Sequence, residues 1–393
     1  MTTDGATRDN AFLTTIRQIA DDVAGQHAEE VDQQARFPAE SLAALRETKA
    51  LSALVGEDLG GGGVSFPAIA QACFELGRRC GASAMVFAMH QIQVASIVRH
   101  LNCETPFFSD YLRGVAAEQR LIGSVTSEIG TGGDMGISVA SVTPGSGGAC
   151  TFEKQAPTVS YGEHADDLLT TLRRAPDAEP GDQVVVLTTR GQATLEPSGT
   201  WDTLGMRGTC SPGFTVCAAF DSEQVLPTPF ARVSAETMVP VSHILWSHLW
   251  LGIATDAFDR ARAFVRAAAR RSPGTPPASA HKLSHVMSDL SLLRAEVGFA
   301  LREFEEMSAE PGRERLSTMA GALRFNNLKI AASEQAPDVC RGALGVCGIM
   351  GFKNDTPFSM GRHLRDAMSA SLMVANERIH ATNASLLLIA KEV

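Results

Sequence analysis

Two short stretches of the chain carry the residue types from which a binding site is built. The first, SVTSEIGTGGDMG (residues 124–136), sets hydroxyls at Thr126 and Ser127 beside a carboxylate at Glu128, then bares the backbone at Gly130, Gly132 and Gly133. Glycines let main-chain N–H groups approach a flat or anionic ligand closely. The second, WDTLGMRGTCSPGFTV (201–216), holds the fixed positive charge of Arg207 between Gly205 and Gly208. Each stretch alone fits an ordinary turn, and the arginine alone fits a solvated hairpin charge. What distinguishes them is that both fall in one β-rich part of the chain.

The elements around them follow from hydrophobic periodicity. Residues 1–120 read as helices broken by glycine and proline. In FPAIAQACFELGRRC, Phe66, Ile69, Ala70, Cys73 and Phe74 form an amphipathic stripe, with Pro67 suited to the first turn. From 121 to 232 come short runs such as DQVVVLTTR, punctuated by TPGSGGAC and APDAEPGD, the pattern of an antiparallel β domain. Helical spacing returns over 233–393, where Leu251, Ala254, Phe258, Ala261 and Val265 share a face. The order is helical, β, helical, with no βαβ alternation, which excludes a Rossmann fold.

Composition narrows the function classes. The net charge of −10 argues against a nucleic-acid partner, since phosphate binding needs a basic surface. The polar opening MTTDGATRDNAFLTT reads as no leader, and no apolar run looks long enough for a membrane span, so a cytoplasmic protein is expected. The eight cysteines (73, 80, 103, 150, 210, 217, 340, 347) form no C-x-x-C pair, so buried free thiols are expected and a metal site is not.

The two stretches together resemble the acyl-CoA dehydrogenase superfamily of flavoproteins. SEIGTGGD is similar to that family's T-E-P-x-x-G-S-D signature, and WDTLGMRGTCS to its W-x-x-L-G-M-R-G-T-x-S signature. GEDLGGGGVSFPAIAQACFELGRRCGASA and HLRDA (363–367) extend the likeness over essentially the whole chain. The resemblance implies an α+β fold: an N-terminal helical domain, a central antiparallel β-barrel or sandwich, and a C-terminal four-helix bundle. It also implies FAD, bound partly by a neighbouring subunit of a dimer or tetramer.

Carried over residue by residue, the resemblance places cofactor contacts at Thr126, Ser127, Gly132, Thr158, Arg270, Gly348, Asn376 and Arg378. It places the substrate pocket at Gly133, Ser242, His243, Val374 and Ala375. Several departures accompany it. KQAPT keeps Lys154 and Thr158 but has Ala156 for the family's stacking aromatic. The pyrophosphate arginine matches Arg270 in RRSPG, with Arg271 competing, and GVCGIMGF has Gly345 for a glutamine and Ile349 for a glycine.

The largest departure is the proton acceptor. Setting Arg365-Asp366 and Ile379 in register puts Val374 where family dehydrogenases carry a catalytic glutamate. A second family location falls on Ser242 and His243, which again lacks a carboxylate. Glu377, one helical turn past Val374, and His243 are the candidate bases. His380 and His248 lie nearby, and His90 reads as a helix residue. The alternatives are an ion-paired Glu377 on a solvated face and structural imidazoles at His243 and His248.

Three readings stay open on these residues. The one placed first is dehydrogenation of an acyl thioester, on CoA or a carrier protein, with a relocated base and an electron-transfer flavoprotein as acceptor. The second is a monooxygenase on the same fold that receives reduced flavin from a separate reductase and needs no α-proton base. The third is a flavin-binding scaffold or partner subunit without catalysis.

Overall fold

The computed structural model describes residues 3–102, 106–309 and 312–390; Cys103 lies outside them. The N-terminal region is helical: α1 (Thr3–Ile19), α2 (Gly25–Gln33), α3 (Ala39–Glu47), α4 (Phe66–Gly77), α5 (Gly81–Val98) and α6 (Pro106–Glu118). A π-helical turn over Ala20–Ala24 joins α1 to α2. The start of α4 is fixed by Ser65, whose side chain accepts from the Ala68 N–H, with proline in the first turn. Ser65 is itself held by Asp9, whose carboxylate takes its N–H at 3.0 Å and its hydroxyl at 2.6 Å.

Helix α5 differs from the expectation about apolar runs. Its 18 residues are long and apolar enough to cross a membrane by length and composition, and 89% of that window is buried inside the fold. Packing on every side removes the need for a polar face, so α5 has no amphipathic stripe.

The central region holds two four-stranded sheets among the described residues. The strands are β1 (Ile122–Val125), β2 (Thr143–Pro144), β3 (Ala149–Ala156), β4 (Asp167–Arg173), β5 (Gln183–Thr189), β6 (Ala193–Pro197), β7 (Phe214–Asp221) and β8 (Val225–Leu226). One sheet runs β1-β4-β5-β8 and the other β2-β3-β7-β6. The expected antiparallel pairing holds except at β1–β4, which is parallel, with Ile122 opposite Asp167. The chain between those two strands crosses to the second sheet and back, which supplies the long connection a parallel pair requires. Strand β3 alternates exposed and buried residues, whereas β4 and β5 are buried along nearly their whole length. The first sheet is therefore covered on both faces and the second on one.

The C-terminal region is α7 (Phe230–Val233), a π-helical turn at Ser234–Met238, then α8 (Val239–Arg271), α9 (Ala280–Ser308), α10 (Met319–Cys347), α11 (Ile349–Phe352), α12 (Gly361–Met368) and α13 (Asn376–Leu387). Helices α8, α9 and α10 pack on one another, and α12 and α13 lie against α10. Helices α4 and α8 cross at Gly77 and Gly252. A Cβ at Gly252 would lie 2.4 Å from the Phe74 carbonyl oxygen, so only glycine allows this approach. One continuous apolar core threads all three regions, from Ile16 to Ala370. Among the described residues seven cysteines are free thiols, five of them buried, with Cys210 and Cys217 half-buried.

Candidate active site

A cavity of about 700 Å³ opens where the three regions meet. Its walls are α5, the loop 124–135, the segment 201–211, the start of α8 and the loop 368–378. Seven of the chain's thirteen methionines line it: Met85, Met89, Met135, Met206, Met238, Met368 and Met373. A second cavity of about 360 Å³ adjoins it and shares Gly133, Met238, Ser242, Trp246, Val374 and Arg378.

The first glycine-rich stretch forms one wall, and a buried ion pair holds it. Glu128 accepts from Ser138 Oγ at 2.7 Å and from the N–H groups of Val139 and Ala140. Lys154 Nζ stands 3.4 Å from Glu128 Oε2 and also donates to the Thr171 carbonyl. Burial pushes the Lys154 amine down to about 8, against the pull of the carboxylate. Removing either partner would leave a buried charge unpaired, which is why this loop has one shape. Ser127 Oγ donates to the Thr158 carbonyl at 2.6 Å, and Thr158 N–H returns a bond to that hydroxyl at 3.2 Å. Thr126, Ser127 and Thr158 thus face the cavity on a preset backbone.

The second stretch acts as a clamp. Arg207 Nε donates to the Asp32 carbonyl at 2.9 Å and Nη1 to the Thr203 carbonyl at 3.0 Å, and the guanidinium lies 3.6 Å from Asp202. Arg207 therefore ties the segment to α2, while its neighbours Trp201, Met206 and Thr209 face the cavity. A Cβ at Gly205 would fall 1.9 Å from the Arg365 carbonyl oxygen, and one at Gly208 2.3 Å from Val31. Asp366, buried beside this contact, accepts the Met206 N–H at 2.7 Å, and burial raises its carboxyl to about 6. Arg365 pairs with both oxygens of Asp32.

The loop 368–378 completes the cavity, and it is strained. Val374 has φ +50°, a left-handed conformation that costs a β-branched residue most. Tyr161 and Met206, also at positive φ, line the same cavity. Such conformations persist only where the surroundings enforce them, and they gather at functional sites.

The expected site residues divide into two groups. Thr126, Ser127, Thr158, Gly133, Ser242, Val374, Ala375 and Arg378 line the main cavity. Gly132 stands just behind that wall at φ +60°, 3.8 Å from Arg378 by its ideal Cβ. His243 lines only the smaller cavity; its Nδ1 lies 2.9 Å from the Phe325 carbonyl, and burial pushes it down to about 3. His248 bonds its own helix at the Ile244 carbonyl. Glu377 is exposed in the first turn of α13 and lines neither cavity. Asn376 points into the core, where it accepts from Lys329 Nζ at 2.6 Å. Arg270 is exposed near the end of α8, and Gly348 caps α10 at φ +57° with open space around it. His90 is structural: Nε2 bonds the Leu51 carbonyl at 2.8 Å, and Nδ1 accepts the Ile122 N–H at 3.1 Å.

Sequence reasoning placed Ser242 of α8 in the pocket but missed the wall contributed by α5 and, on α8, Trp246. Met85, Met89, Ile92 and Gln93 recur at helical spacing on α5, and Trp246 lies on α8 beside Ser242. The methionine spacing was a readable signal; which side of the uniformly buried α5 faced a cavity was not.

Comparison with known proteins supports the architecture. Residues 7–105 match the acyl-CoA dehydrogenase N-terminal domain family, and 235–382 match the acyl-CoA dehydrogenase C-terminal domain family. The chain belongs to the acyl-CoA dehydrogenase superfamily. Within it, the chain is 23% identical over 372 residues, 90% of each chain, to the probable FMNH2-dependent monooxygenase SfnC of Pseudomonas putida. The probable acyl-CoA dehydrogenase fadE25 of Mycobacterium leprae is 30% identical, but over 125 residues, 32% of each. The solved structure of TdsC from Paenibacillus sp. A11-2 with FMN and indole superposes with a TM-score of 0.82 at 20% identity, covering 96% of this chain and 97% of that one.

These findings correct the expected order of reactions. The sequence reading put thioester dehydrogenation ahead of oxygenation, but the relative matched along nine-tenths of the chain is named a monooxygenase. The physical reason lies at Val374. The motifs that suggested a dehydrogenase build the cavity, whereas the residue that would take the α-proton is an aliphatic side chain on its wall.

Proposed function

We propose that the protein is a reduced-flavin-dependent monooxygenase that uses FMN supplied by a separate reductase and acts on a small, neutral, mostly apolar molecule. The observation that carries this reading is Val374 on the cavity wall, at the place where a dehydrogenase of this family needs a carboxylate. Two carboxylates do line the cavity. Glu128 is consumed by Lys154, Ser138 and two backbone N–H groups, and Asp134 caps its own turn at the Gly136 N–H.

The residues present fit a flavin. Hydroxyls at Thr126, Ser127 and Thr158 offer donors and acceptors to the edge of a flat ring, and Gly133 lets it approach the backbone. Bound reduced flavin would supply two electrons to dioxygen, so that one oxygen atom enters the substrate and the other leaves as water. The chain's own part is to hold the ring against the 124–135 wall, to place the substrate among the methionines, and to exclude bulk water. FMN is favoured over the FAD of the family resemblance by the names of SfnC and the TdsC complex. Arg270 and Gly348, matched to contacts of the larger cofactor, lie outside the cavity in this chain. Any role for them would be toward a neighbouring copy, and a homo-oligomer is part of the proposal. Exposed Leu292, Phe299, Ile349 and Phe352 on α9 and α11 give such an assembly apolar area to bury.

The test supplies FMN, NADH and a flavin reductase under ¹⁸O₂ with indole as probe. One ¹⁸O atom per product is expected. Product without label, or bleaching of bound flavin by an acyl-CoA without oxygen, would overturn the reading.

A further inference from the structure

The smaller cavity shares Met238, Ser242 and Val374 with the main one and adds two polar residues of its own. His243 and Asn326 line it and not the main cavity, and both are over nine-tenths buried. His243 Nδ1 lies 2.9 Å from the Phe325 carbonyl, which can only accept, so Nδ1 holds the proton and Nε2 is left as an acceptor. Asn326 Nδ2 donates to Asn383 Oδ1 at 2.8 Å, which leaves Asn326 Oδ1 as a second acceptor. Neither Nε2 nor Oδ1 has a partner among the described residues. Neither is sealed: unlike Trp246 Nε1, each keeps accessible surface. Since both residues line the cavity, that surface is open to whatever fills it.

The charges around these acceptors decide what they can hold. Lys329 is buried on α10, one helical turn from Asn326, and its Nζ donates to Asn376 Oδ1 at 2.6 Å. Burial, helped by the Lys329 charge, keeps the His243 imidazole neutral. The same charge opposes an ammonium ligand. Asp134 and Arg378, the charged residues that line the cavity, are exposed and opposite in sign. Of the buried side-chain donors there, Ser242 Oγ is spent on the Met238 carbonyl and Trp246 Nε1 is shut off from solvent. An occupant of the cavity displaces water from two acceptors, and it must return a hydrogen bond or lose affinity.

We propose that the smaller cavity is a substrate subsite in which His243 Nε2 and Asn326 Oδ1 accept hydrogen bonds from a neutral N–H or O–H group. The substrate class is then an apolar body, lodged among the methionines of the main cavity, that carries an amide or hydroxyl into the smaller one past Met238 and Ser242. His243 is a positioning residue here: an imidazole held neutral accepts the hydrogen bond and leaves the proton on the substrate. The methionines adapt to the apolar body without specifying it, because thioether side chains are flexible and polarisable. This deepens the monooxygenase reading and rests on it for the word substrate, although the binding preference can be measured without turnover.

The experiment is calorimetric binding to the full chain, with and without oxidised FMN. The probes are N-methyl-3-phenylpropanamide and methyl 3-phenylpropanoate, which match in shape and differ by an N–H against an oxygen. Wild type should prefer the amide by about tenfold or more. It should also bind the amide more tightly than 3-phenylpropylammonium. His243→Asn keeps a donor for the Phe325 carbonyl but has no atom at the place of Nε2, and it should bring amide and ester close together. His248→Asn is the control, since His248 bonds its own helix and lines neither cavity, and it should leave the preference intact. If His243→Asn fails to fold, ¹⁵N spectra of wild type decide: the amide should shift one histidine Nε2 resonance and the ester none. Equal affinities, binding of neither probe, tighter binding of the ammonium, or a preference that survives His243→Asn would each overturn the proposal. So would a control that shifts it equally. A loss of FMN affinity in His243→Asn would give the acceptor to the hydroxyls of the cofactor chain and overturn it too. Because binding consumes no oxygen, a protein with these preferences that takes up no FMN or makes no labelled product would sink the monooxygenase reading alone.

Discussion

The segment 201–211 and the loop 368–378 line one cavity and differ in what holds them. The first is fixed by direct contact. Gly205 lies against the Arg365 backbone, Gly208 against Val31, and Arg207 and Trp201 are tied to main-chain carbonyls. The second holds Val374 at φ +50° and carries no charged group at the position where the family's proton acceptor belongs. The segment whose residues match the family signature is architecture, and the loop that departs from it lacks the carboxylate a dehydrogenase of the family would use. A motif can therefore identify a fold with confidence while misdirecting the chemistry.

That contrast can be broken at its tightest contact. Gly205→Ala would drive a methyl into the Arg365 carbonyl, a backbone atom that cannot swing aside. A loss on the order of 3 kcal/mol or more is expected, read as a collapse of the urea midpoint. A variant of normal stability would show that the clamp is looser than its geometry.

Acid should act next. His90, His243 and His248 are buried neutral, and burial pushes them down to about 4, 3 and 4. Unfolded histidines titrate near 6.5, so below that pH the unfolded chain binds more protons and stability falls. The loss is up to about 1.4 kcal/mol per group per pH unit, down to the folded values. Asp366, raised to about 6, opposes this, since its buried carboxyl favours the folded state as it takes a proton between about 6 and 4. A Tm that drops steeply from pH 6.5 to 4.5 is expected. A flat profile would mean the imidazoles are already charged in the folded protein.

Asp32→Asn removes one partner of the Arg365 pair, which is about a third exposed on the arginine side. A cost of about 2 kcal/mol is expected, at the low end for a buried pair because water reaches the guanidinium. The change should weaken FMN binding as the Leu204–Met206 backbone loosens. Unchanged FMN affinity would confine the clamp to stability.

The smallest effect sharpens the other side. Val374→Gly should relieve left-handed strain and stabilise the fold by about 1 kcal/mol, less the entropy glycine loses on folding. A Tm that instead falls would show that the packing of Val374 outweighs its strain.

Much of the fold was legible in residues 66–74, 183–189 and 251–265, because helix and strand periodicities are local properties of the chain. The parallel β1–β4 pair was not, since register between distant strands has no local signature. At the site, Thr126, Ser127, Ser242 and Val374 were found by their place in motifs. Glu377 and Asn376 fell outside the cavity because successive residues at the start of α13 point about 100° apart, so that one is exposed and the other buried. Gln93 and Trp246 carried no motif at all.

The sequence by itself determined the three-part architecture, the superfamily and the absence of a carboxylate at position 374, all of which depend on residue identity and near-neighbour spacing. Only the tertiary structure decided that Arg207 serves as a tie rather than a ligand and that His243 opens on the lesser cavity. It also decided that Gln93 and Trp246, which no motif marks, line the main cavity. Those outcomes depend on which groups meet once every other contact is made, and that is a property of the whole packed chain.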